Sequence, residues 1–280
     1  MKKIKTQQII EVVKTMCIEA NCILGEDIVA ALTKTLTLEK SPMGKEIIKQ
    51  LIENSRIAKE EKMPLCQDTG FTVIFLEIGQ EVQIMGGDLD QAINEGVRQG
   101  YQEGCLRKSI VSDPFRRKNT GDNTPAVIHT TIVPGDRLKI VVAPKGAGSE
   151  NMSEIRMLLP SEGLKGVENF VVDRVNRSGG NPCPPIIVGV GIGGTFEKCA
   201  LLAKQALLRP LGTRNTDPFY ADLEKNLLKK INNLGIGPMG LGGQITALEV
   251  FVDAHPCHIA SLPVAVNIQC HSARHKEAIL

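Results

Sequence analysis

Eight cysteines, at positions 17, 22, 66, 105, 183, 199, 257 and 270, are the residues of this 280-residue sequence with the widest chemical reach. An even count is compatible with disulfides. Disulfide scaffolds, however, are short secreted chains, and no signal-peptide apolar core follows the basic start Met1–Gln8. In a reducing compartment a cysteine is either a small buried hydrophobe or a metal or redox group. Three of the eight stand outside helical patterns. Cys66 lies in Pro64-Leu65-Cys66-Gln67-Asp68-Thr69-Gly70, Cys183 lies between two prolines after a Gly-Gly-Asn turn, and Cys270 lies in Asn267-Ile268-Gln269-Cys270-His271-Ser272-Ala273-Arg274 at the end of an expected strand. Loops and strand ends let the backbone turn a thiolate toward a shared centre. Spacing alone leaves the choice open, because neither a Cys-x2-Cys-x2-Cys ferredoxin run nor a paired Cys-x2-Cys zinc pattern is present. His255-Pro256-Cys257-His258 packs three candidate zinc ligands into four residues, but a zinc site there needs further ligands from elsewhere.

The elements that must position these residues are read from hydrophobic periodicity. Ile9, Ile10, Val13, Cys17 and Ile18 form a stripe that predicts a helix over 6–24, with further helices over 26–37 and 44–60. Cys17 and Cys22 fall on different faces of the first helix and read as core or surface residues. The polar loop around Cys66 leads into Phe71–Ile78, a buried strand, and a helix follows over 89–104. The polar stretch Arg107–Thr124 reads as an irregular or functional loop. Ala126–Val133 and Leu138–Ala143 read as two strands joined at Pro134-Gly135-Asp136, a hairpin-like signal. Residues 145–152 form a glycine-rich turn whose backbone N–H groups could cradle an anion, or which could simply cap a helix at Ser149 or Ser153. Helices over 162–177, 196–208 and 219–233 alternate with a strand over 186–190, a turn at Gly191–Gly194, a second glycine-rich segment at 235–243, and a β-rich stretch from Ala247 to Gln269 broken around 253–258. The expected fold is α/β or α+β: one domain over 1–280, a mixed sheet flanked by helices, with a helical portion over 1–60.

Composition narrows the function classes. Hydrophobic residues make up 42% and charged residues 23%, an ordinary globular balance, while 3% aromatics and no Trp require an aliphatic core. A formal net charge of +2 gives no broad field for nucleic acid or an anionic membrane. No run of about 18 apolar residues is present to span a membrane, and a cytoplasmic location is expected. The local basic clusters at 107–108 and 116–118 read either as a solvated face or as carboxylate-binding groups.

Several ordered segments carry a resemblance. Pro64–Gly70, Leu106-Arg107-Lys108-Ser109, Arg117–Ala126, Gly148–Ser153, Gly191–Lys198 and His258–Val266 resemble signatures of class I, iron–sulfur-dependent fumarate hydratases and the related tartrate dehydratases. The matches run in order through residues 5–275. The resemblance implies a [4Fe–4S] cluster held by Cys66, Cys183 and Cys270. It also implies that Gln67, Arg107 and Gly148 bind substrate, and that Asp68 and His258 act in catalysis. Where relatives often carry Ser-Cys-Ser around the last ligand, this chain reads Gln269-Cys270-His271. Taken without the resemblance, Asp68 reads equally as a turn cap, His258 as a satisfied core histidine, and Arg107 as a surface charge.

The implied chemistry is hydration of a double bond flanked by carboxylates: fumarate and malate first, as in the tricarboxylic acid cycle, with L-tartrate second. A non-catalytic iron–sulfur sensor or carrier is the reading from another class. Long-chain relatives carry a second domain with a proton-handling site. This chain, ending at Leu280, is therefore expected to work with a separate beta-type subunit as an α2β2 assembly. The resemblance gives no role to His255 or Cys257.

Overall fold

A computed structural model describes all residues, Met1–Leu280, and the chain divides into two compact units, each assembled from separate segments. The first comprises 1–25, 55–147 and 274–280, and the second comprises 26–54 and 148–273.

The first unit is a sheet covered by two helices. Strands β2 (Phe71–Gly79), β4 (Val127–Val133), β5 (Leu138–Lys145) and β10 (Lys276–Ile279) lie in the order β10-β5-β2-β4. β2 runs parallel to β4 and antiparallel to β5. A two-stranded sheet joins β1 (Lys2–Lys5) and β3 (Val82–Met85). Helices α1 (Thr6–Cys22) and α4 (Leu89–Glu103) close the core, where Ile9, Val13, Cys17, Ile93, Val97 and Tyr101 pack on Ile74, Leu76, Leu138, Ile140 and Val142. The predicted stripe Ile9-Val13-Cys17 is thus the buried face of α1. Asp88 starts α4 by accepting the Gln91 N–H at 2.8 Å, an N-cap.

The hairpin expected at Pro134-Gly135-Asp136 does not form. β4 and β5 flank β2 on opposite sides and pair with it, not with each other. The cause is the apolar character of β2, in which Val73–Leu76 are all buried, so a neighbour is required along both edges. The 134–137 connection arches over the end of β2, where Gly135 and Arg137 carbonyls accept the N–H groups of Glu81 and Gly79.

The second unit carries a sheet of the same directional pattern, order β6-β9-β7-β8, from β6 (Glu154–Leu158), β7 (Ile186–Gly193), β8 (Ala247–His255) and β9 (Leu262–Gln269). α6 (Gly163–Ser178) and α8 (Pro218–Asn232) pack through Phe170, Val171, Leu227 and Ile231 on Ile186, Val188, Val190 and Val250. α7 (Phe196–Ala206) packs through Cys199 and Ala203 on Ala265. The turn expected at Gly191–Gly194 is strand through Gly193. On the α7 side β7 needs bare backbone: a Cβ at Gly189 would lie 2.0 Å from the Ala203 carbonyl oxygen, and one at Gly191 2.1 Å from that of Cys199. These glycines are close-packing residues with a strand's period of two, which is why they imitate a turn in the sequence.

The helical first 60 residues contribute to both units. α1 belongs to the first, α2 (Glu26–Leu38) to the second, and α3 (Pro42–Glu61) runs through the boundary at 54/55. The mixed α/β class is as expected; the four short strands β1, β3, β6 and β10 were not anticipated. No helix is long and apolar enough to cross a membrane.

Candidate active site

In the first unit the Cys66 loop precedes β2 and is held by a dense set of hydrogen bonds. The Leu65 N–H donates to the Asn21 carbonyl at 2.8 Å. The Asp68 N–H donates to Cys66 Sγ at 3.4 Å, and Cys66 Sγ–H donates to Gln67 Oε1 at 3.4 Å. Asp68 Oδ1 accepts from the Gly70 N–H and Oδ2 from the Ala147 N–H, both at 2.9 Å. Asp68 is therefore a turn cap in this fold, with lone pairs left over for a further partner. Gly70 has φ +71°, and a Cβ there would stand 2.5 Å from the Lys145 carbonyl oxygen, so only glycine fits.

Buried side chains fix this loop from beneath. Tyr101 Oη donates to the Thr69 carbonyl at 2.8 Å, and Asn123 Nδ2 to the Gly70 carbonyl at 3.2 Å. Arg274 Nη2 donates to the Asp68 carbonyl at 2.6 Å. Thr69 Oγ1 donates to the Arg107 carbonyl at 2.9 Å, which fastens Arg107 beside the loop with its side chain exposed. The polar stretch after it is irregular, as expected, with a single bridge between Val111 and Asn119. Cys66, Gln67 and Asp68 therefore form one cluster, with the backbone of Arg107 fastened beside it.

In the second unit Cys183 and Cys270 lie on adjoining turns. The Cys183 carbonyl accepts the His271 N–H at 3.3 Å and His271 Nδ1 at 3.1 Å, which places the His271 proton on Nδ1. Cys183 has φ +56°, the left-handed region that a β-carbon disfavours. Such strain, about 1–3 kcal/mol, concentrates where a side chain must be aimed. The Cys183 N–H donates to the Gly180 carbonyl, and the Met239 N–H donates to the Pro184 carbonyl at 2.7 Å. The second glycine-rich segment, unassigned from sequence, thereby braces the Cys183 turn; a Cβ at Gly240 would sit 2.5 Å from Gly180 Cα. Glu39 holds that segment in turn. Its carboxylate accepts four backbone N–H groups, from Lys40, Ser41, Gln244 and Ile245.

Gly148 belongs to the same neighbourhood. A Cβ on it would approach the Asn181 carbonyl oxygen at 3.6 Å, two residues before Cys183. The helix at this point, α5 (Ala147–Glu150), is a single turn, and its first N–H is spent on Asp68. Ser149 Oγ donates to Gln269 Oε1 at 3.3 Å, and that oxygen also accepts the Cys270 N–H at 3.3 Å. Glu150 accepts from Asn267 Nδ2 at 3.0 Å and from Lys204 Nζ at 2.5 Å. The glycine loop and the Cys270 strand end are thus cross-tied. His258 sits apart on the exposed connection from β8 to β9, its Nδ1 accepting the Ala260 N–H at 3.1 Å, so the neutral ring carries its proton on Nε2.

The remaining cysteines separate by environment. Burial pushes the Cys17 and Cys199 thiols up to about 12, so neither supplies a thiolate at neutral pH. Burial raises Cys22 as well. Cys105 and Cys257 are exposed. Within either unit no three His, Cys, Asp or Glu side chains gather as a metal-ion site, His255, Cys257 and His258 included. No cysteine is in a disulfide, and Cys66, Cys183 and Cys270 are the three that are half-buried. Each of these three, Cys66 in the first unit and Cys183 and Cys270 in the second, stands on a loop and half-shielded from water, and a thiol so placed has the donor chemistry that an iron–sulfur group takes. Sequence reasoning did not find Tyr101, Arg274, Glu39 or Lys204. Only Arg274 carries a signal, a cation four residues after a candidate ligand.

The family model described as "Fumarate hydratase (Fumerase)" matches residues 10–279. A protein of Methanocaldococcus jannaschii provisionally named L(+)-tartrate dehydratase subunit alpha is 46% identical over 274 residues, covering 95% of each chain. L(+)-tartrate dehydratase subunit alpha of Escherichia coli K12 is 34% identical over 254 residues, covering 90% of this chain and 84% of the relative.

Proposed function

The chain belongs to the fumarate hydratase (Fumerase) family of hydro-lyases, and from that premise we propose that it is the iron–sulfur-holding, alpha-type subunit of an enzyme that reversibly hydrates fumarate to L-malate. The observation that carries the reading is the strained, carbonyl-tethered presentation of Cys183 beside the Cys270 turn. Cys66, Cys183 and Cys270 would hold a [4Fe–4S] cluster. So held, the cluster would supply a Lewis acid for the substrate hydroxyl.

The chain's own residues do the rest of the positioning. Arg107, with an exposed guanidinium on an anchored backbone, binds one substrate carboxylate in a bidentate pair. As the carbon beside a carboxylate loses its proton, charge builds on that carboxylate, and the same cation stabilises it. Gln67 and the spare lone pairs of Asp68 orient the hydroxyl-bearing carbon. Gly148 leaves the room a side chain would fill. His258 offers Nε2–H as a donor to the departing hydroxyl. The residue that takes the carbon-bound proton is assigned to a separate beta-type subunit. The relatives' names, which end in "subunit alpha", support that partner.

Those names also favour a second reading, dehydration of L(+)-tartrate, which removes water from the same kind of dicarboxylate. The chain is to be coexpressed anaerobically with its beta-type partner and assayed on malate, fumarate and both tartrates. The expected result is hydro-lyase activity only with both subunits, lost in air. Full activity from this chain alone, or activity unchanged by air, contradicts the proposal.

A further inference from the structure

Arg274 is a buried cation without a counter-charge. The residue is 5% exposed. One nitrogen, Nη2, donates to the Asp68 carbonyl, while Nε and Nη1 are buried without a partner, and no carboxylate stands in ion-pair contact with the guanidinium. It lies beside the Cys66–Asp68 loop, and elsewhere in the same unit its charge works against the burial that raises the pKa values of Cys22 and Tyr101. Burying a charge unpaired is among the costliest arrangements a fold can hold. Backbone anchoring does not require it, because a neutral amide donor would serve the Asp68 carbonyl equally well.

The other end of the loop accounts for a cation here. Asp68 joins the two groups: its N–H reaches Cys66 Sγ and its carbonyl reaches Arg274. A thiolate-held iron–sulfur cluster is anionic, and net charge and hydrogen bonding around it govern both its retention and its potential. We propose that Arg274 is a positioning residue that supplies the buried counter-charge for the cluster at the Cys66 loop, an inference that rests on the cofactor assignment above. The unpaired charge is then a cost of the cluster-free chain that cluster binding relieves.

Three variants of the full chain separate charge from hydrogen bond and from packing. Arg274→Lys keeps the charge, Arg274→Gln keeps a donor, and Arg274→Met keeps only volume. After anaerobic reconstitution with iron and sulfide, iron per chain is measured, the reduction potential is titrated by electron paramagnetic resonance, and the urea midpoint of the cluster-free chain is determined. Iron retention in the Met and Gln variants is expected to fall at least about fivefold, with the residual cluster at a more negative potential, while Lys retains most of it. The cluster-free Met variant is expected to unfold at higher urea than wild type. Wild-type retention and potential in the Gln variant overturn the proposal, as does a Met variant destabilised without its cluster, the mark of a merely structural arginine. A wild-type chain that takes up no iron overturns the cofactor assignment itself, and this inference with it.

Discussion

Substituting Glu39 by Gln removes one oxygen from a carboxylate that is 1% exposed and whose partners are all backbone N–H groups. Oε1 accepts from Lys40 and Ser41 at 2.8 Å each, Oε2 accepts from Ile245 at 2.8 Å, and Gln244 is shared at 3.0 and 2.9 Å. In the less costly orientation the NH2 takes the place of Oε2, so the Ile245 N–H loses its acceptor while the Gln244 N–H keeps Oε1 at 3.0 Å. Hydrogen bonds to a charged acceptor contribute ~1.5–3 kcal/mol each, so Glu39→Gln is expected to cost ~1.5–3 kcal/mol. That is a large share of the ~5–15 kcal/mol by which domains are stable. Urea unfolding at neutral pH measures it. Burial alone would raise the Glu39 pKa, but the N–H groups of Gln244, Ser41, Ile245 and Lys40 outweigh it and hold the folded value below the ordinary 4.5. A depressed folded pKa gives stability that is complete above the unfolded value and lost as pH falls through the folded one. The gap between wild type and Glu39→Gln should therefore narrow once pH drops below 4.5. A cost under ~1 kcal/mol at neutral pH, or a gap that widens in acid, refutes the reasoning.

Two further outcomes follow from the same hydrogen-bond and burial geometry. Tyr101→Phe removes the hydroxyl that holds the Thr69 carbonyl in a fully buried site, and should lower unfolding stability by ~1–3 kcal/mol while leaving the fold intact by circular dichroism. Cys17 and Cys199, with thiols pushed up to about 12, should resist iodoacetamide at pH 8 until the chain is unfolded, whereas exposed Cys105 and Cys257 react at once; mass spectrometry of tryptic peptides reads this directly.

What the sequence made legible was local. The Ile9-Val13-Cys17 stripe is the buried face of its helix, and the apolar run at 71–78 is a strand of the first sheet. The separation of helical, buried cysteines from those on loops also held for Cys17, Cys22 and Cys199. What escaped was set at long range. Nothing within 126–143 announces that β2, fifty residues earlier, comes between its two strands. Gly189 and Gly191 imitate a turn because their reason lies in the backbone of α7. Glu39 and Arg274 look like ordinary surface charges; their significance comes from partners about two hundred residues away at Gln244 and Asp68. The sequence around Asp68 is compatible with both a catalytic group and a turn cap, and the fold displays the second role while leaving lone pairs for the first.

The central claim, that this chain holds an iron–sulfur cluster on three particular cysteines, is tested most directly by the iron-to-chain ratio after anaerobic reconstitution. The account predicts about four irons per wild-type chain, and a ratio close to zero when Ser replaces Cys66, Cys183 and Cys270 together. Zinc in place of iron, or a triple variant that keeps the wild-type ratio, contradicts it.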